Sequence, residues 1–195
     1  MTTSPSLTEF TTTVREAFRY LGPAFGFREV PPPAPRLAVN PFMIWFQNPT
    51  TLVQVQGINW GFAAQVLLGP ADGDDVSAAV PLWAIIQHRR PDLSREPQGQ
   101  LGDVRAYAEA LREVAGDVLQ GEFEVFGSAR RILDAQMTRH TNERREQARA
   151  AAVAGAAEAF RAGNFGRVIE LLGPHVELLS PAERARLDYA HARVR

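Results

Sequence analysis

The property that most restricts how this chain can fold is a change in its side chains after Gly127. Up to that point, large apolar residues recur every few positions. From Ser128 to Gly163 the chain is rich in Arg and Ala, and Ile132, Leu133 and Met137 are the last large apolar group before Phe160. A sheet with helices on one face needs bulky apolar residues at strand and helix spacing, and only the first part supplies them. Small residues such as Ala instead let helices approach one another. The expectation is therefore an α+β main domain over residues 1–140 and an all-helical extension over 141–195. Charge follows the same division. Residues 1–60 carry four Arg and three acids (net +1), and 61–127 carry five Arg and eleven acids (net −6). Residues 128–195 carry twelve Arg and eight acids, net +4.

Within the first part the elements read in order. Ser6 and Glu9 have capping-box spacing, followed by an apolar stripe of Leu7, Phe10, Val14, Phe18 and Leu21, with Gly22-Pro23 as the stop. Pro31, Pro32, Pro33, Pro35 and Pro41 predict an extended connector over 28–41, neither strand nor helix. Three strands are expected next: Phe42–Gln47, Thr51–Gln56 and Phe62–Leu68, with Asn48-Pro49-Thr50 as a turn. The middle strand alternates Thr51, Val53 and Val55 with Leu52, Gln54 and Gln56, the pattern of a half-exposed antiparallel strand. The result is a three-stranded antiparallel meander packed with helices. Helices follow over about Val80–Arg90 and Leu101–Gln120, and Ser128 is placed as the cap of the next.

Composition removes several classes of chemistry. All 21 basic residues are Arg and there is no Cys. Schiff-base lysines, Walker-type loops, thiol nucleophiles, thiolate metal sites and disulfides are thus excluded. A GC-rich bacterial genome accounts for the absence of Lys, because Arg codons are mostly GC-rich. What survives is His and carboxylate chemistry. The four histidines, His88, His140, His175 and His191, stand at no helical neighbour spacing. Asp188 and His191 are three apart on one helix and read as a surface pair. Gly127-Ser128-Ala129 is not a nucleophile elbow. Gly69–Asp75 lacks the ligand alternation of a calcium loop and reads as a solvated acidic turn. No catalytic, metal or cofactor residue is assigned.

Ala156, Ala159, Phe160, Gly163-Asn164-Phe165, Val168 and Leu171-Leu172, followed by Pro174, resemble the middle of a tetratricopeptide-type repeat. Ser180-Pro181-Ala182-Glu183 caps a following helix. The resemblance covers about 145–195, one and a half repeats, without the usual early Trp and without a second full copy. It implies protein or peptide binding. Loop aromatic Trp60 is a candidate anchor, as is Phe165 of the repeat-like turn. Arg144, Arg145 and Arg149 form part of an Arg run interleaved with Glu143 and Glu146. Such interspersed signs favour a solvated face over a phosphate-binding stripe.

The expected function is that of a non-catalytic cytoplasmic bacterial protein acting through a protein partner, adaptor- or immunity-like. A His/carboxylate hydrolase or metalloenzyme is the alternative, or weak nucleic-acid binding through the Arg-rich helix. The near-neutral charge of −1 gives no global attraction to nucleic acid or membrane. Met1-Thr2-Thr3-Ser4-Pro5 shows no signal-peptide pattern, and no apolar run approaches the roughly 20 residues of a membrane span.

Overall fold

The computed structural model describes residues 6–59, 61, 63–72, 78–93 and 101–194, without the side chains of 101–103. Contacts divide the chain into two compact units, Met1–Asp134 and Ala135–Arg195. The first is α+β and the second is helical.

The first helix, α1 (Leu7–Ala17), starts at the expected capping box. Glu9 N–H donates to Ser6 Oγ at 3.1 Å, and Ser6 N–H donates to Glu9 Oε2 at 2.8 Å. The Ser6 N–H, joined by the Ser6 hydroxyl at 3.1 Å, holds the Glu9 carboxyl below its usual range. Phe10, Val14, Phe18 and Leu21 are buried as the stripe predicts, whereas Leu7 is 42 % exposed. Gly22-Pro23 does not end the segment. It lies in the first turn of a second short helix, α2 (Leu21–Phe25), where proline's missing N–H is harmless. Gly26, at φ +70°, closes it.

The sheet has five strands, not three. They are β1 (Arg28–Val30), β2 (Met43–Gln47), β3 (Thr51–Ile58), β4 (Ala63–Pro70) and β5 (Val80–Pro81). They follow one another in sequence order and every pair is antiparallel. The two additional strands are the edges. Both lie where proline argues against a strand, but an edge leaves some N–H groups unpaired, so proline is tolerated there. The connector expected over 28–41 accordingly contains β1 and a short helix, α3 (Ala34–Val39), with Pro35 in its first turn. Val80 pairs with Leu68 as a strand residue, and α4 runs from Leu82 to Arg89. Arg15 on α1 ties β1 down with a two-pronged ion pair to Glu29, at 2.8 and 2.9 Å.

One face of the sheet carries Ile44, Phe46, Val53, Val55, Val66 and Leu68, all buried in the main core. Helices α1 and α5 (Leu101–Val114) pack on each other and on the sheet, joined by α4. Phe18 stacks on Phe46 with centroids 5.9 Å apart. The opposite face departs from expectation, since β3 is buried from Thr51 to Gly57 instead of half exposed. Gln54 is only 1 % exposed. Its amide oxygen is satisfied laterally. Gln65 Nε2 donates to Gln56 Oε1 at 3.1 Å, and Gln56 Nε2 donates to Gln54 Oε1 at 3.3 Å. Trp45 on the same face is buried, with no partner for its indole N–H among the described residues.

Asn48 locks one end of the sheet. Its Oδ1 accepts from the N–H groups of Thr50 and Thr51, while its Nδ2 donates to the carbonyls of Phe25 and Leu119. Thr51 Oγ1 donates to Val118 O at 2.8 Å. The 3-10 turn it grips, Val118–Gln120, ends at Gly121 with φ +95°. A Cβ there would lie 2.7 Å from Thr50 Cβ, so both conformation and space require glycine. The helix expected over 101–120 is therefore interrupted after Val114.

Helix α6 (Val125–Arg161) begins before Ser128, so Ser128 is an internal residue and not a cap. In the second unit α6 is followed by α7 (Phe165–Leu172), a 3-10 segment (Gly173–Leu178) and α8 (Pro181–Val194). Among the described residues no helix is long and apolar enough to cross a membrane.

Candidate functional site

The second unit brings aromatic residues together from three helices. At the end of α6, Gly163 takes φ +72° and Asn164 caps α7, its Oδ1 accepting from Arg167 N–H at 3.1 Å. This reversal lays Phe165 of α7 against Phe160 of α6, with ring centroids 5.7 Å apart. Tyr189 of α8 completes the group at 5.4 Å from Phe160 and 5.7 Å from Phe165. Beneath them Ala156, Val168, Leu172, Leu179, Leu187 and Ala190 are buried together. The close helix pair of this unit is α7 with α8.

Tyr189 is 43 % exposed, so the cluster reaches the surface. Arg193, one turn further along α8, lies over the Tyr189 ring at 5.1 Å and donates to its hydroxyl from Nε and Nη2 at 3.0 and 2.7 Å. The result is a pre-ordered aromatic and guanidinium surface, the residue types that dominate protein-binding energetics. Helix α8 starts at the expected capping box, with Ser180 N–H donating to Glu183 Oε2 at 2.7 Å.

The residues singled out in the sequence are distributed unevenly. Phe165 belongs to the aromatic cluster. Arg149 lies on α6 but is engaged within the chain, by Glu146 at 2.6 Å and Glu183 at 3.5 Å. Its bonds hold the Glu146 carboxyl below the usual range; Glu183 is held low first by the Ser180 N–H and hydroxyl, with Arg149 adding to it. Arg144 and Arg145 are exposed on a stretch of α6 that has no buried residue. At roughly 100° per residue, Arg139 and Arg144 diverge by about 140° around the helix. The free arginines therefore do not form a single stripe. Trp60 lies outside the described residues, as does much of the acidic turn.

His88 on α4, His140 on α6 and His191 on α8 are exposed, and His175 in the 3-10 segment is half-buried. His140 faces Glu143 at 3.4 Å. Among the described residues, no three His, Asp or Glu side chains converge to hold a metal.

The sequence reading missed Arg193 and the site role of Tyr189. Their signal was the i,i+4 Tyr-Arg spacing on the last helix, which has meaning only once α8 is seen against Phe160. It also missed a cleft in the first unit, of about 460 Å³, at the Asn48 end of the sheet. Arg28, Gln47, Asn48, Ala71 and Asp72 line it, residues far apart in the chain with no motif among them. No protein-family model matches the chain, and no curated protein or solved structure matches it either.

Proposed function

We propose that this is a non-catalytic cytoplasmic bacterial protein that binds another protein, adaptor- or immunity-like, through its C-terminal helices. The observation carrying this reading is the surface formed by Phe160, Phe165, Tyr189 and Arg193. Ordering an aromatic and an arginine before binding lowers the entropy cost of the complex. The helix–turn–helix around Gly163-Asn164 supports the tetratricopeptide-type resemblance, whose members bind proteins and peptides. Such repeats expose a helical face to a partner once stacked.

The test is capture of partners from a bacterial lysate by the full chain and by Tyr189→Ala and Arg193→Ala variants. One protein should co-purify in near-stoichiometric amount with the parent and at least tenfold less with either variant. Both variants should keep the parent's helical circular dichroism. A partner retained equally by all three proteins, or none at all, would overturn the reading.

A further inference from the structure

The first unit's cleft combines three features. It is formed where β1, the β2–β3 turn and the residues after β4 meet, and its volume of about 460 Å³ lies within the range of small-molecule sites. Its polar amides are largely committed. Asn48 is fully engaged in holding the turn, and Gln47 Nε2 donates to Ala71 O at 3.1 Å, leaving Gln47 Oε1 as an acceptor. The two charged side chains that line it among the described residues, by contrast, are uncommitted. Among the described residues, the ion pairs include neither Arg28 nor Asp72, so these opposite charges line one cleft without meeting each other.

That arrangement discriminates among ligands. A simple anion would be drawn to Arg28 and repelled by Asp72, and a simple cation the reverse. An apolar molecule would displace water from both charges and return nothing for it. A small zwitterion satisfies both, its carboxylate meeting the planar guanidinium and its ammonium meeting the Asp72 carboxylate and Gln47 Oε1. We propose that this cleft binds a free α-amino acid between Arg28 and Asp72. The reading does not rest on the C-terminal surface.

The test is titration of the full chain with each of the twenty free L-amino acids, by calorimetry and saturation-transfer NMR. At least one should bind saturably. Its N-acetyl derivative, lacking the ammonium, and its amide, lacking the carboxylate, should each bind at least tenfold more weakly. Arg28→Gln and Asp72→Asn should each weaken the free amino acid at least tenfold. Both positions are exposed, and unchanged circular dichroism would show that the variants fold. Arg144→Gln, in the other unit, should bind like the parent. The proposal is overturned if no amino acid binds, if both blocked derivatives bind as well as the parent compound, or if neither cleft variant weakens binding.

Discussion

The two units differ in how much interior they have and in what fills it. In Met1–Asp134, Phe10, Phe18, Phe46, Leu68, Leu111 and Leu119 bridge the space between sheet and helices. A sheet and its packed layer stand about 10 Å apart, a gap that only large side chains can fill. In Ala135–Arg195 the buried set is much smaller, with Ala156 and Ala190 beside Val168, Leu172, Leu179 and Leu187 and, among the described residues, no buried aromatic ring. One chain of ordinary overall composition thus holds two kinds of interior. The smaller interior also explains where the surface aromatics lie. With little core to fill, Phe160, Phe165 and Tyr189 are left at the rim of the second unit.

Truncating one large residue in each interior should have the largest effect. Phe18→Ala should cost about 3–5 kcal/mol and Leu172→Ala about 2–4 kcal/mol. All three tryptophans, Trp45, Trp60 and Trp83, lie in the first unit, so their fluorescence reports that unit's unfolding. In urea, Phe18→Ala should shift the fluorescence midpoint, while Leu172→Ala should shift mainly the far-ultraviolet circular dichroism. Equal shifts in fluorescence would contradict the division.

Gly121→Ala comes next. It places a Cβ against Thr50 at a left-handed φ, and a loss of about 2 kcal/mol or more is expected. A substitution that leaves the urea midpoint unchanged would show that the turn is not locked to the sheet as described.

Acid should then act on the ion pair that anchors α4. Arg89 donates to Asp117, at 2.6 Å from Nη1 to Oδ1, and to the carbonyl of Val114. Its guanidinium holds the Asp117 carboxyl below its ordinary value of 3.8. A depressed carboxyl stabilises the fold above the unfolded-state pKa and loses that stability as pH falls through the folded value. Parent stability should therefore drop as pH falls from the ordinary carboxylate range through the lower folded value, by about 1–2 kcal/mol from this pair. Asp117→Asn should flatten that part of the profile in urea melts at graded pH. An unchanged slope would remove the pair from the account.

The smallest effect sharpens the second unit. Ser180→Ala removes the α8 cap and should cost about 1 kcal/mol, read as a modest shift in the circular dichroism transition. A loss several times larger would mean that α8 depends on its cap more than on Leu187 and Ala190.

Much of the fold was legible because it is encoded locally. The Ser6–Glu9 and Ser180–Glu183 boxes, the α1 stripe and the Gly163-Asn164 reversal each depend on residues within a turn or two of one another. The edge strands were not legible. Arg28–Val30 and Val80–Pro81 are short and flanked by or contain proline, and they become strands only because β2 and β4 present them with partners. Burial of Gln54 was hidden for the same reason, since Gln56 and Gln65 satisfy it laterally. Of the candidate site, Phe165 was readable from the repeat-like turn. Arg193 was not, because its role depends on Tyr189 meeting Phe160 from another helix.

The order of residues along the chain settles which chemistries are closed to this protein, where α1 and α8 start, where α6 turns into α7, and that alanine is concentrated after Gly127. These follow from side-chain identity and short-range spacing. The five-strand order, the engagement of Arg149 by Glu183 and the placing of Arg28 and Asp72 along one cleft arise only in the folded chain. Each brings together residues distant in the chain, and periodicity along a single segment carries no information about what lies across from it.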